Sequence, residues 1–103
     1  MPRERIVAAQ VECEKQRLTA RLRGCQEQVA AAMRQRYADL AESVQRSAAQ
    51  LGELERQWAS WTKEQRRRMQ AELRAARRDF RAAYRSWREA IGELGGEVLP
   101  QPA

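Results

Sequence analysis

The chain contains no histidine, and its three prolines are Pro2, Pro100 and Pro102. Two common routes to function close at once. Without histidine there is no imidazole base or metal ligand. With no proline from Arg3 to Leu99, the chain has no outright helix breaker between its ends. Glycine is also scarce, at Gly24, Gly52, Gly92, Gly95 and Gly96, so no glycine-rich phosphate loop can be drawn. Aromatic residues make up 6% of the chain. No run approaches the ~20 apolar residues of a transmembrane helix. The first ten residues, MPRERIVAAQ, lack the apolar centre of a signal peptide. These absences predict an intracellular, soluble, cytoplasmic chain.

Cysteine is limited to Cys13 and Cys25. On one helix twelve residues rise about 18 Å, too far for a disulfide within the chain. Neither thiol has a metal-ligand companion, so both read as small side chains in a reducing compartment. The carboxylates are spread through a mixed charge pattern and form no converging pair of the kind acid–base catalysis needs. The expectation is no catalytic residue, no cofactor and no metal.

What remains is rich in Ala, Arg, Glu, Gln and Leu, all strong helix formers. Apolar residues recur at helical spacing. Met33, Tyr37, Leu40, Val44, Leu51, Leu54, Trp58 and Trp61 step by 4, 3, 4, 7, 3, 4 and 3, a heptad seam that lays one stripe against a neighbouring helix. Upstream, Leu18, Leu22, Cys25 and Val29 carry the same steps. Continued past Trp61, the seam would fall on Gln65 and Arg68. It restarts out of phase at Met69 and runs through Leu73, Ala76, Phe80, Tyr84, Trp87, Ile91 and Leu94. Such a shift marks either a stutter in one helix or a new helix, for which Thr62-Lys-Glu-Gln65 has the form of a capping box. Ser47-Ala-Ala-Gln50, followed by Gly52, is a second candidate start.

The fold class is therefore all-α, with long amphipathic helices forming a coiled-coil hairpin or small helical bundle. Residues 1–94 form one helical domain. The chain is one helix of roughly 138 Å, a hairpin turning near 47–53, or a hairpin or bundle turning near 59–63. A hairpin is favoured because a lone helix cannot cover its own stripe. Two helices leave apolar surface uncovered, which predicts further association. Gly95-Gly96 ends the last helix, and residues 95–103 read as a disordered tail.

One stretch carries the functional expectation. Leu73 to Ala90, LRAARRDFRAAYRSWREA, repeats every seven residues as LRAA, FRAA and WREA. Arg67, Arg74, Arg81 and Arg88 recur at intervals of seven, with Arg78 and Arg85 between them. From Lys63 to Arg88 there are ten bases against three acids, 10 − 3 = +7, while the whole chain is +6. Like charges at i,i+4, such as Arg74 with Arg78 and Arg81 with Arg85, cost about 0.2–0.5 kcal/mol each. An arginine stripe that tolerates this repulsion beside an aromatic stripe predicts a docking helix over 62–94. Trp58, Trp61, Leu73, Phe80, Tyr84 and Trp87 form its apolar side, and Arg67, Arg74, Arg78, Arg81, Arg85 and Arg88 its basic side.

The expected activity is that of a non-enzymatic adaptor or assembly subunit. Its partner would be a second copy, an acidic helix, or both. The same arginines allow an alternative, binding to nucleic-acid phosphates. A groove-reading helix would want Asn, Ser or other base readers among its arginines, however, and the spacers here are mostly Ala. A second alternative, an amphipathic helix on an anionic membrane, asks for a broader bulky face than Ala76 and Ala83 leave.

Overall fold

A computed structural model describes residues 2–95. Three helices follow one another: α1 (Arg3–Arg21), α2 (Glu27–Ser60) and α3 (Lys63–Gly95). They form an up-down-up bundle with principal extents of 63 × 22 × 18 Å. The antiparallel pairing of α1 with α2 is fixed by Arg3–Glu55 and Glu4–Arg56 at one end. Further along, the Tyr37 hydroxyl donates to the Val11 carbonyl. The antiparallel pairing of α2 with α3 is marked by Arg36–Glu93 at 2.7 Å. Among the described residues, no helix is long and apolar enough to cross a membrane.

Of the architectures the sequence left open, the turn near 59–63 is the one adopted. Trp61 is extended, with φ −81° and ψ 148°, and ends α2. Thr62 then starts α3 with a reciprocal capping box. The Gln65 amide donates to Thr62 Oγ1 at 3.2 Å, and the Thr62 amide donates to Gln65 Oε1 at 2.9 Å. The single continuous helix and the turn near 47–53 are both overturned. Ser47-Ala-Ala-Gln50 lies inside α2, where Ala48 and Leu51 are 1% and 2% exposed. Gly52 does not turn the chain; it lets the Glu4 side chain of α1 close in. A Cβ on Gly52 would stand 1.6 Å from Glu4 Oε1.

The sequence reading also missed a turn. It carried one helical pattern through residues 22–26, yet α1 stops at Arg21 and α2 begins at Glu27. Gly24 sits there at φ 85°, a left-handed conformation costly for any residue with a Cβ. The apolar rhythm hides the turn because Leu18, Leu22, Cys25 and Ala30 all still contribute to the core. Hydrophobic period reports which side of the chain is buried, and a tight reversal can leave that unchanged.

The core joins Val7, Val11 and Leu18 of α1, Ala30, Tyr37, Ala41, Val44 and Ala48 of α2, and Trp87 and Leu94 of α3. Trp87 and Val44 are both 0% exposed. Each large side chain buried in this way contributes about 1.5–3 kcal/mol. With α1 in place, a third helix covers surface that a two-helix hairpin would leave open.

At 19 residues α1 is about 28 Å long, against about 51 Å for the 34-residue α2. It begins beside Glu55 and Phe80, so the far end of the α2–α3 hairpin has two helices only. Trp58 and Trp61 meet there with centroids 6.3 Å apart and ring planes inclined at 58°. Arg66 Nε donates to the Trp58 carbonyl at 2.9 Å, and its guanidinium lies 5.7 Å from the Trp58 ring centroid. This arginine adds a second donor to a carbonyl that also accepts from the Trp61 amide at 3.3 Å where α2 ends.

Candidate functional site

The site is built on α3, whose residues advance about 100° around the axis. Arg67, Arg74, Arg78, Arg81, Arg85 and Arg88 fall in an arc of about 80°. Glu64, Glu72, Asp79, Glu89 and Glu93 occupy an adjoining arc of about 100°, which also holds Arg68. The remaining sector holds Leu73, Phe80, Trp87 and Leu94. α3 is thus divided lengthwise into an apolar strip, a basic strip and a mainly acidic strip that includes Arg68.

The structure treats the two halves of the expected site differently. All six of those arginines are exposed, as is Arg77. Leu73 and Trp87 are buried, at 5% and 0% exposure, while Trp58, Trp61, Phe80 and Tyr84 are half-buried. The aromatics of α3 come together as a ladder, Phe80 to Tyr84 at 5.8 Å and Tyr84 to Trp87 at 5.5 Å between centroids. Trp58 and Trp61 form a separate pair at the turn and do not join it. Leu73 and Trp87 pack within this chain, and the basic strip faces outward.

Ion pairing separates the helices further. Arg34–Glu27, Arg46–Glu42 and Arg56–Glu53 lie along α2, and Arg17–Glu14 along α1. Arg3, Arg36 and Arg56 reach acids on neighbouring helices. Arg67, Arg74, Arg77, Arg78, Arg81, Arg85 and Arg88 form no ion pair with any described residue. Arg88 rests 5.9 Å from the Trp87 ring centroid.

Beside the basic strip runs a groove between α1 and α3. Two contacts cross it. The Tyr84 hydroxyl donates to Gln10 Oε1 at 3.3 Å, and the Arg3 guanidinium sits 5.5 Å from the Phe80 centroid. On one side of the Tyr84–Gln10 bridge lies a cavity of about 470 Å³ lined by Arg3, Ile6, Phe80 and Tyr84. On the other lies one of about 340 Å³ lined by Arg17, Arg21, Arg88 and Ile91. The sequence reading singled out no α1 residue here. Ile6 lies off the α1 seam, and that was the available signal: it is the exposed large hydrophobic residue, at 42%.

The titratable groups with displaced behaviour are structural. Burial pushes the Tyr37 phenol up, opposed by the neighbouring Trp87 indole N–H. That N–H is itself buried without a hydrogen bond of good geometry. The Glu4 carboxyl is held low by a backbone amide at the start of α1 and by Arg56. No group of three or more metal-ligating side chains occurs among the described residues. Cys13 is exposed on α1, and Cys25 Sγ lies 3.9 Å from the Arg21 carbonyl as a weak donor. The chain matches no family model, no curated protein and no solved structure.

Proposed function

We propose that this protein is a non-enzymatic helical adaptor, an assembly subunit that docks through α3 onto an acidic helix of a partner protein. The observation that carries the reading is the strip of exposed arginines on α3 without ion pairs, in a molecule whose α1 and α2 pair Arg with Glu repeatedly. The spacing of the strip supports a helical partner. Seven residues rise about 10.5 Å, the repeat of a heptad, so glutamates at heptad spacing on a second helix can meet Arg74, Arg81 and Arg88 in turn. Trp58, Trp61, Phe80 and Tyr84, each half-buried, supply apolar edges beside the charges.

The test is fluorescence anisotropy with two probes, a labelled helical peptide bearing Glu at heptad spacing and a labelled DNA duplex. The adaptor reading expects the peptide to bind and Arg74→Glu with Arg81→Glu to weaken it at least tenfold. It fails if the duplex binds more tightly than the peptide, with affinity falling steeply as salt rises. That result would favour the nucleic-acid reading of the same arginines.

A further inference from the structure

We infer that the α1–α3 groove is the seat of a fourth helix, an acidic amphipathic segment of the partner that completes a four-helix bundle. This inference rests on the adaptor reading above and assigns it a location. α1 is held mainly by α2, through buried Val7, Val11 and Leu18 and through the Arg3–Glu55 and Glu4–Arg56 pairs. Toward α3 it makes lighter contacts, the Tyr84–Gln10 hydrogen bond and the Arg3–Phe80 approach, with cavities of about 470 and 340 Å³ on either side.

The groove has the composition such a helix needs. Its floor is apolar and incompletely covered: Ile6 is 42% exposed, and Phe80, Tyr84 and Ile91 are half-buried. By contrast, Val44 and Trp87 in the bundle centre are 0% exposed. Its α3 rim is basic, with Arg77 and Arg81 one turn apart, Arg88 two turns further on, and no acid on that face between them. Inside the groove, Glu14 is already engaged by Arg17 at 3.1 Å. A helix laid there would put apolar residues on the floor and acids on the rim, the seam-and-flank arrangement of a coiled coil. Charge selects the occupant. A second copy would bring the same basic rim, and the chain's net charge of +6 opposes that approach.

The experiment uses the full chain and a labelled three-heptad peptide with Leu at the seam positions and Glu at the flanking positions. A sister peptide carries Lys in place of Glu. Ile6→Ser with Arg88→Glu alters the groove, and Arg67→Glu with Arg78→Glu alters the basic strip away from it. Circular dichroism verifies that each variant is folded. Binding of the Glu peptide alone, weakened at least tenfold by the groove pair and no more than about threefold by the outer pair, supports the groove. Cys13 provides a second readout. It is exposed and follows Ile6 and Gln10 on one face of α1, with Arg17 next. A bromoacetyl group on the Glu peptide should alkylate Cys13 at least ten times faster than free bromoacetamide does. If the outer pair abolishes binding and the groove pair does not, the groove is overturned while the adaptor reading stands. If both peptides bind equally or neither binds, the acidic-helix partner falls with it.

Discussion

α2 and α3 have nearly the same length, 34 and 33 residues, and lie antiparallel along most of it, yet they handle charge in opposite ways. α2 interleaves the signs. Arg34, Arg46 and Arg56 each reach an acid on the same helix, so its outer surface is close to neutral turn by turn. α3 gathers its bases, Arg68 apart, on a strip away from its acids, and its arginines form no ion pair among the described residues. Exposed pairs such as those on α2 are worth little each. Their effect is to leave α2 with nothing outstanding. α3 carries repulsion that no described residue relieves, and the proposed acidic partner would relieve it. That difference is why docking is placed on α3 and not on the equally long helix beside it.

The largest test of this contrast concerns the inner and outer faces of α3. Trp87→Ala empties the bundle centre and should cost about 3–5 kcal/mol, a large share of the stability of a domain this size. Arg85→Ala, two residues away on the outer face, should change stability by less than about 0.5 kcal/mol. Urea denaturation followed by circular dichroism measures both, and similar midpoints would mean that α3 is not anchored through Trp87.

A middle-sized effect is expected where the two helices meet. Thr62→Ala removes one half of the capping box at the start of α3 and should cost about 1 kcal/mol. Ser60→Ala, at the end of α2, should cost less, because its hydroxyl donates to the Gln57 carbonyl within its own helix. Equal thermal midpoints for the two variants would show that the capping box is not what starts α3.

The smallest effect has the opposite sign. Replacing Arg74, Arg78, Arg81 and Arg85 together by Gln removes three i,i+4 repulsions, Arg74–Arg78, Arg77–Arg81 and Arg81–Arg85, and should stabilise the fold by about 0.2–0.5 kcal/mol per pair. It should also eliminate binding of the Glu peptide. Gln in place of Arg34, Arg46 and Arg56 on α2 should do neither. A thermal midpoint that falls in the α3 variant would contradict the claim that its arginines stand unrelieved.

Much of the bundle was legible in the chain because helix propensity and apolar period act locally. Leu73, Trp87 and Val44 were on the expected seam and are buried. The phase shift after Trp61 together with Thr62 and Gln65 put the second turn among the three architectures left open, since a capping box is a contact between residues three apart. The first turn was not seen. Gly24 was the only local sign, and the apolar rhythm continued across it. Gly52 misled for a related reason. A glycine inside a helix resembles a breaker until one knows that the Glu4 carboxylate lies against it, a contact between residues far apart in the chain. Of the candidate site, the basic strip could be read from its period of seven. The groove could not, because Ile6 and Phe80 are neighbours only after α1 folds back beside α3.

By itself the sequence determined the helical class, the seam and the arginine stripe beside it on α3. All of these follow from spacings of seven residues or fewer on a single helix. Only the tertiary structure decided that there are three helices, that Leu73 and Trp87 turn inward, and that α1 stops short and leaves a groove with a basic rim. Those outcomes depend on which surfaces meet after the chain reverses, and the balance of burial that selects them involves residues tens of positions apart.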